Sequence, residues 1–236
     1  MKEYQSNLSR REFLKISAPT ILGMILSGCK ITQREISSPI PRLTSTPTSV
    51  SVATPTLSAC RARAIFGDPE KSEYVLPYPV GKKYRLIQTY CNVGGSHYDQ
   101  LAYDFGMPIG AEVTAARSGE VRLFQDNNPD KGSWDNRGDY NYIYIEHEDG
   151  TVAFYAHLKQ DSIVVSRGQS VEIGQRIAKS GASGFTAGKP QLHFGVYQNY
   201  PCQEGFDLAV NFRNAGSQLD EYGGLIEMQY YEALLY

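Results

Sequence analysis

The stretch that most narrows what this chain can fold into is Lys189-Pro190-Gln191-Leu192-His193-Phe194-Gly195-Val196. Successive side chains of a β-strand point to opposite sides. Read that way, Leu192 and Phe194 face a core while Gln191 and His193 share the opposite face. A strand of this kind is the floor of a polar site backed by packed apolar groups, and His193 is its first candidate ligand. Other segments follow the same two-residue period, as in Tyr142-Ile143-Tyr144-Ile145, Val152 to Ala156 and Ile163-Val164-Val165. Glu148-Asp149-Gly150-Thr151 reads as a hairpin turn, because Asp149-Gly150 suits positive φ angles. No long stretch carries helical periodicity, so the expected fold is mostly β, a compact antiparallel sheet.

The chain has four histidines, His97, His147, His157 and His193. His97 sits in Gly95-Ser96-His97-Tyr98-Asp99-Gln100-Leu101-Ala102-Tyr103-Asp104-Phe105, beside two carboxylates. His157 closes the run Val152 to Leu158. His147 flanks the predicted turn and reads as a surface residue. A catalytic zinc commonly takes three protein ligands, imidazoles and carboxylates among them, and keeps one position for water.

Taken in order, His97 to Asp104, Tyr155-Ala156-His157-Leu158, Gly168-Gln169, Gly174-Gln175 and Leu192-His193-Phe194 resemble the lysostaphin-type (LytM-like) zinc endopeptidases. The resemblance covers about residues 76–198. Several motifs agreeing over one domain length are specific where any one alone is weak. The resemblance implies Zn2+ held by His97, Asp104 and His193, with His157 in catalysis, on a lysostaphin-like antiparallel β domain. The glycine-punctuated segment 168–175 also resembles the hairpins of lipoyl and biotinyl carriers, a related barrel-sandwich look without a carrier's lysine motif. For its substrate the resemblance implies bacterial peptidoglycan, cleaved at a peptide bond.

Two features depart from the family pattern. Six residues separate His97 from Asp104, where the usual spacing is His-x-x-x-Asp. Asp99 is a competing carboxylate, read as a solvated loop residue. The last motif is usually His-x-His, its first histidine acting in catalysis, whereas Gln191-Leu192-His193 begins with glutamine. Glutamine can donate a hydrogen bond to an oxyanion but cannot take up and return a proton at neutral pH. Three readings stay open: a slow enzyme, an enzyme relying on His157 alone, and a catalytically impaired wall-binding or hydrolase-regulating module on the same scaffold.

Upstream, Ser9-Arg10-Arg11-Glu12-Phe13-Leu14-Lys15 resembles a twin-arginine export signal. The apolar run at residues 16–27 is too short to span a bilayer, which takes about 20 apolar residues. Leu26-Ser27-Gly28-Cys29 matches a lipobox, so Cys29 is the expected lipidation site. Residues 1–29 are then an export signal. Residues 30–59, rich in Ser, Thr and Pro, are a disordered linker with too little apolar surface to offset chain entropy. Residues 60–236 form the peptidase-like domain. The expected location is extracytoplasmic, lipid-anchored to the membrane of the cell envelope and in contact with peptidoglycan.

A formal charge of −2 gives no support to nucleic-acid binding. With Cys29 lipidated, Cys60, Cys91 and Cys202 remain, an odd set compatible with one disulfide and one free thiol whose pairing the sequence does not fix. A thiol ligand from Cys91 or Cys202 stays open. In the polar segment 127–140, Trp134 reads either as part of a substrate groove or as a residue of an exposed loop. No role is assigned to residues 199–236, for which packing across the sheet and capping the groove both stay open.

Overall fold

The structure, a computed structural model, describes residues 58–236 except 137 and 204. The predicted export signal, Cys29 and nearly all of the predicted linker lie outside the described residues. Among the described residues no helix is long and apolar enough to cross a membrane.

Among the described residues helix is confined to α1 (Ala59–Arg63), N-capped by the Ser58 side chain, and to short 3-10 turns. The rest is sheet and loop, as the two-residue period predicts. The strands are β1 (Lys83–Gln88), β2 (Ala102–Gly106), β3 (Glu112–Thr114), β4 (Gly119–Gln125), β5 (Tyr142–Glu146), β6 (Val152–Ala156), β7 (Ser170–Val171), β8 (Arg176–Lys179), β9 (Leu192–Tyr197), β10 (Asp207–Leu208) and β11 (Tyr230–Glu232). Antiparallel pairing orders the large sheet β11-β1-β2-β9-β6-β5-β4-β7, with β10 beside the end of β9, while β3 and β8 form a separate ribbon.

The middle strands β2, β9 and β6 are covered on both faces. On one face Tyr103, Phe105, Tyr155, Leu192 and Phe194 are fully buried. Phe212 packs into this layer, its ring centroid 5.6 Å from Phe194 and 5.7 Å from Tyr103. Burying one such ring stabilises by about 1.5–3 kcal/mol. The tail thus has a structural role that sequence reading left open. It packs on the core face, and Asn214 Oδ1 accepts the Leu76 amide.

The opposite face carries the polar site. Tyr142, Tyr144, Phe154, His193, Tyr197 and Asp104 share it, because the register sets Tyr144 opposite Phe154, Phe154 opposite Gly195, and Asp104 opposite His193.

Three local expectations need correction. Ile163-Val164-Val165 is not a strand: Val164 N–H finds the Ile177 carbonyl, but the Asp126 carboxylate takes the amides of Ser162 and Ile163, so a side chain replaces the ladder. His147 is buried, with Nδ1 2.9 Å from the Ser118 carbonyl and its ring edge-on to Tyr74. The expected strand at 189–196 starts only at Leu192, with Gln191 in a single bridge to Gly181. The predicted turn forms, with Gly150 at φ 82°.

Candidate active site

Asp104 and His193 face each other across β2 and β9, and directly opposed residues of an antiparallel pair hold their Cβ atoms about 4.5–5.5 Å apart. His193 Nδ1 lies 2.9 Å from Asp104 Oδ1. His97 arrives from the long β1–β2 connection and completes the group. Its Nε2 is 3.2 Å from His193 Nδ1 and 3.4 Å from Asp104 Oδ1. All three residues offer one ligand atom to a common point. The wide spacing between His97 and Asp104 is therefore no obstacle, since the connection folds back on itself. Asp99 instead turns away to an ion pair with Arg63 at 3.1 Å, a partner the solvated-loop reading did not foresee.

A backbone carbonyl fixes the His97 imidazole. His97 Nδ1 lies 3.2 Å from the Thr89 carbonyl, so that nitrogen carries the proton and Nε2 keeps its lone pair for the cluster. Burial alone would push the Asp104 carboxyl up, but His97 and His193 overcome it and hold it well below its ordinary value. Burial alone would lower His97, yet Asp104 and its hydrogen-bonded neighbours raise it. The pocket thus favours positive charge next to an ionised carboxylate.

This donor set fits a zinc ion. Tetrahedral bonds of about 2.0–2.1 Å put neighbouring donors about 3.3–3.4 Å apart, close to the spacings observed. Two lone-pair nitrogens and a carboxylate facing one another with few protons between them are better satisfied by a cation than by each other.

His157 lies one residue past β6, with φ 60°. That left-handed backbone is uncommon outside glycine and swings the ring off the strand. Its Nδ1 is 2.8 Å from the Ser183 carbonyl, and its ring centroid is 6.2 Å from that of His193. Burial, together with His193, lowers its pKa. Gln191 lines the same groove. Tyr140, Tyr144, Phe154 and Tyr197 form an aromatic wall, with Tyr144 and Phe154 stacked at 4.7 Å. Sequence reading missed these rings, although the Tyr-x-Tyr-x-Tyr run at 140–144 was a signal for them. The carbonyls of Thr89 and Ser183 left no signal, being backbone.

Cys91 is unavailable as a ligand because it is joined to Cys60 in a disulfide. Cys202 lines the groove as a free thiol, pushed up to about 12 by burial, and stands outside the three-residue cluster. Trp134 is exposed and packs edge-on against Phe185, which lines the groove, at 5.0 Å.

Residues 99–204 match the model of peptidase family M23. That segment is M23-like. Asp104, His157, Gln191 and His193 fall within the match, and His97 lies two residues before it. Over 125 residues, 50% of this chain and 26% of the relative, the chain is 38% identical to peptidoglycan DD-endopeptidase ShyB of Vibrio cholerae. Over 145 residues, 61% of this chain and 37% of the relative, it is 33% identical to outer membrane antigenic lipoprotein B of Histophilus somni. The chain therefore spans 26% to 37% of the length of these two curated relatives. Among solved structures, the catalytic domain of lysostaphin from Staphylococcus simulans is 28% identical, covering 53% of this chain and 86% of that one, with a TM-score of 0.40.

Proposed function

We propose that this M23-like domain is a zinc-dependent endopeptidase acting on peptide bonds of bacterial peptidoglycan, on a protein exported and tethered by a lipid at Cys29. The observation that carries the reading is the convergence of His97 Nε2, Asp104 Oδ1 and His193 Nδ1 on the floor of a groove that also contains His157. A zinc ion held by these three residues would polarise the scissile carbonyl and supply a water that ionises near neutral pH. His157, kept neutral by burial and oriented by Ser183, offers Nε2 to accept a proton from the attacking water and return it to the leaving amine. The Gln191 amide donates toward the developing oxyanion without moving a proton. The aromatic wall lines the path of the substrate chain. The identity to a peptidoglycan DD-endopeptidase supports the substrate class, and the identity to an outer-membrane lipoprotein supports the envelope location.

A second reading, a metal-bearing module that binds the wall without cutting it, is favoured by Gln191 alone. Zinc content and release of new amino groups from purified peptidoglycan separate the two. The peptidase reading expects bound zinc, with cleavage that falls about 10²–10⁴-fold in His157→Ala. Zinc with no cleavage, or cleavage appearing only in Gln191→His, overturns it in favour of the binding module.

A further inference from the structure

The loop that delivers His97 has little packing of its own. Between Cys91 and Leu101 only His97 is buried, while Val93 and Tyr98 are 84% and 70% exposed. Within it, Asn92 N–H and Gln100 N–H both donate to the His97 carbonyl, Cys91 N–H donates to that of Gln100, and Gly94 N–H and Gly95 N–H donate to the side chain and carbonyl of Asn92. Two side-chain bonds tie its middle to the domain, Gln88 Nε2 to Ser96 Oγ at 2.7 Å and Asn92 Nδ2 to Glu227 Oε2 at 3.0 Å. Its two ends are held by α1. Cys60 on α1 is disulfide-bonded to Cys91 at the loop's start. One turn on, Arg63 grips its end, donating to the Asp99 carboxylate and carbonyl at 3.1 Å each and to Asp207 Oδ1 at 3.0 Å. The other oxygen of Asp207 accepts the Leu101 amide. The loop is thus pinned at both ends by one short helix.

From this arrangement we infer that the Cys60–Cys91 cross-link and Arg63 are positioning elements of the metal site, holding His97 where it can join Asp104 and His193. The inference rests on the metal-binding reading above. Asp104 and His193 need no such aid, because strand register sets them opposite each other. His97 lacks a register, and without the clamp, binding metal would have to order the loop at the same moment. Part of the binding free energy would then be consumed by ordering.

The experiment compares zinc affinity, by competition with a chromogenic chelator, in the oxidised full chain and in Cys60→Ser/Cys91→Ser, with amide hydrogen exchange followed in both. The expected result is zinc binding weakened about 10–100-fold, the range typical for loss of a group supporting a ligand. Faster exchange at Asn92 and Gln100 should accompany it, with β6 and β9 unchanged. A folded double variant with wild-type zinc affinity overturns the inference. If the double variant does not fold, Arg63→Ala, which keeps the disulfide, decides: several-fold weaker zinc binding supports the clamp, and unchanged affinity refutes it. A wild-type chain that takes up no zinc removes the metal reading and this inference together. One that binds zinc but cleaves nothing refutes only the proposed reaction.

Discussion

Two regions supply the proposed metal cluster, and they hold its three residues by different means. Asp104 and His193 stand on adjacent central strands, where the register that buries Tyr103 and Phe194 on one face necessarily sets the carboxylate and the imidazole together on the other. His97 stands on an exposed connection tied down by separate attachments: a disulfide, an arginine, the Thr89 carbonyl and the side-chain bonds of Gln88 to Ser96 and Asn92 to Glu227. In the first region folding and site assembly are one event; in the second the site needs attachments that the core does not require.

The comparison makes predictions of decreasing size. Leu192→Ala, which empties a fully buried position behind the ligand strand, should cost about 2–5 kcal/mol in denaturant unfolding. Zinc affinity of the folded fraction should nevertheless stay near wild type, because the backbone register remains; a large loss of affinity would mean that packing, not register, places His193. His193→Ala and His97→Ala should each weaken zinc binding by more than about 10²-fold in chelator competition, exceeding the usual effect of supporting groups. Near-wild-type affinity in His97→Ala would take the loop out of the site and dissolve the contrast.

A third test lies at the strand end, between the two regimes. His157 holds φ 60°, a conformation that costs a residue with a Cβ about 1–2 kcal/mol. Metal-free His157→Gly should therefore be about 1 kcal/mol more stable than His157→Ala in chemical denaturation. Equal stabilities would show that the strand end relaxes readily, more like the loop than the sheet.

The smallest effect concerns His147, a histidine away from the metal cluster, whose pKa is lowered from 6.5 mainly by burial. Its unfolded state therefore binds more protons than the folded state between the lowered value and 6.5. Its contribution to stability is complete above that window and lost as pH falls through it. Unfolding free energies measured across the window should drop less steeply in His147→Gln than in wild type.

Much of the sheet-borne half was readable in advance. Alternation gave β6 and nearly all of β9, and it put Gln191 and His193 on one face with Leu192 and Phe194 on the other. The loop-borne half was harder, since the spacing between His97 and Asp104 says nothing of how the connection folds back. His147 was misjudged because turn flanks are usually exposed, whereas Tyr74 and the Ser118 carbonyl enclose this one. Ile163-Val164-Val165 has strand composition, but Asp126 claims two of its amides, a competition between side chain and ladder that periodicity does not register.

The pairing of β11 with β1 bears on how a fragment of this protein should be cut. A piece trimmed to residues 99–204 would lose both strands together with His97. It would also leave the outer edge of β2 with a row of unpaired amides and carbonyls, a template for pairing with other copies. The smallest soluble unit is therefore set by which strands cover the edge of β2 rather than by the span of family similarity, and a trimmed fragment should precipitate or self-associate where the longer chain stays monodisperse.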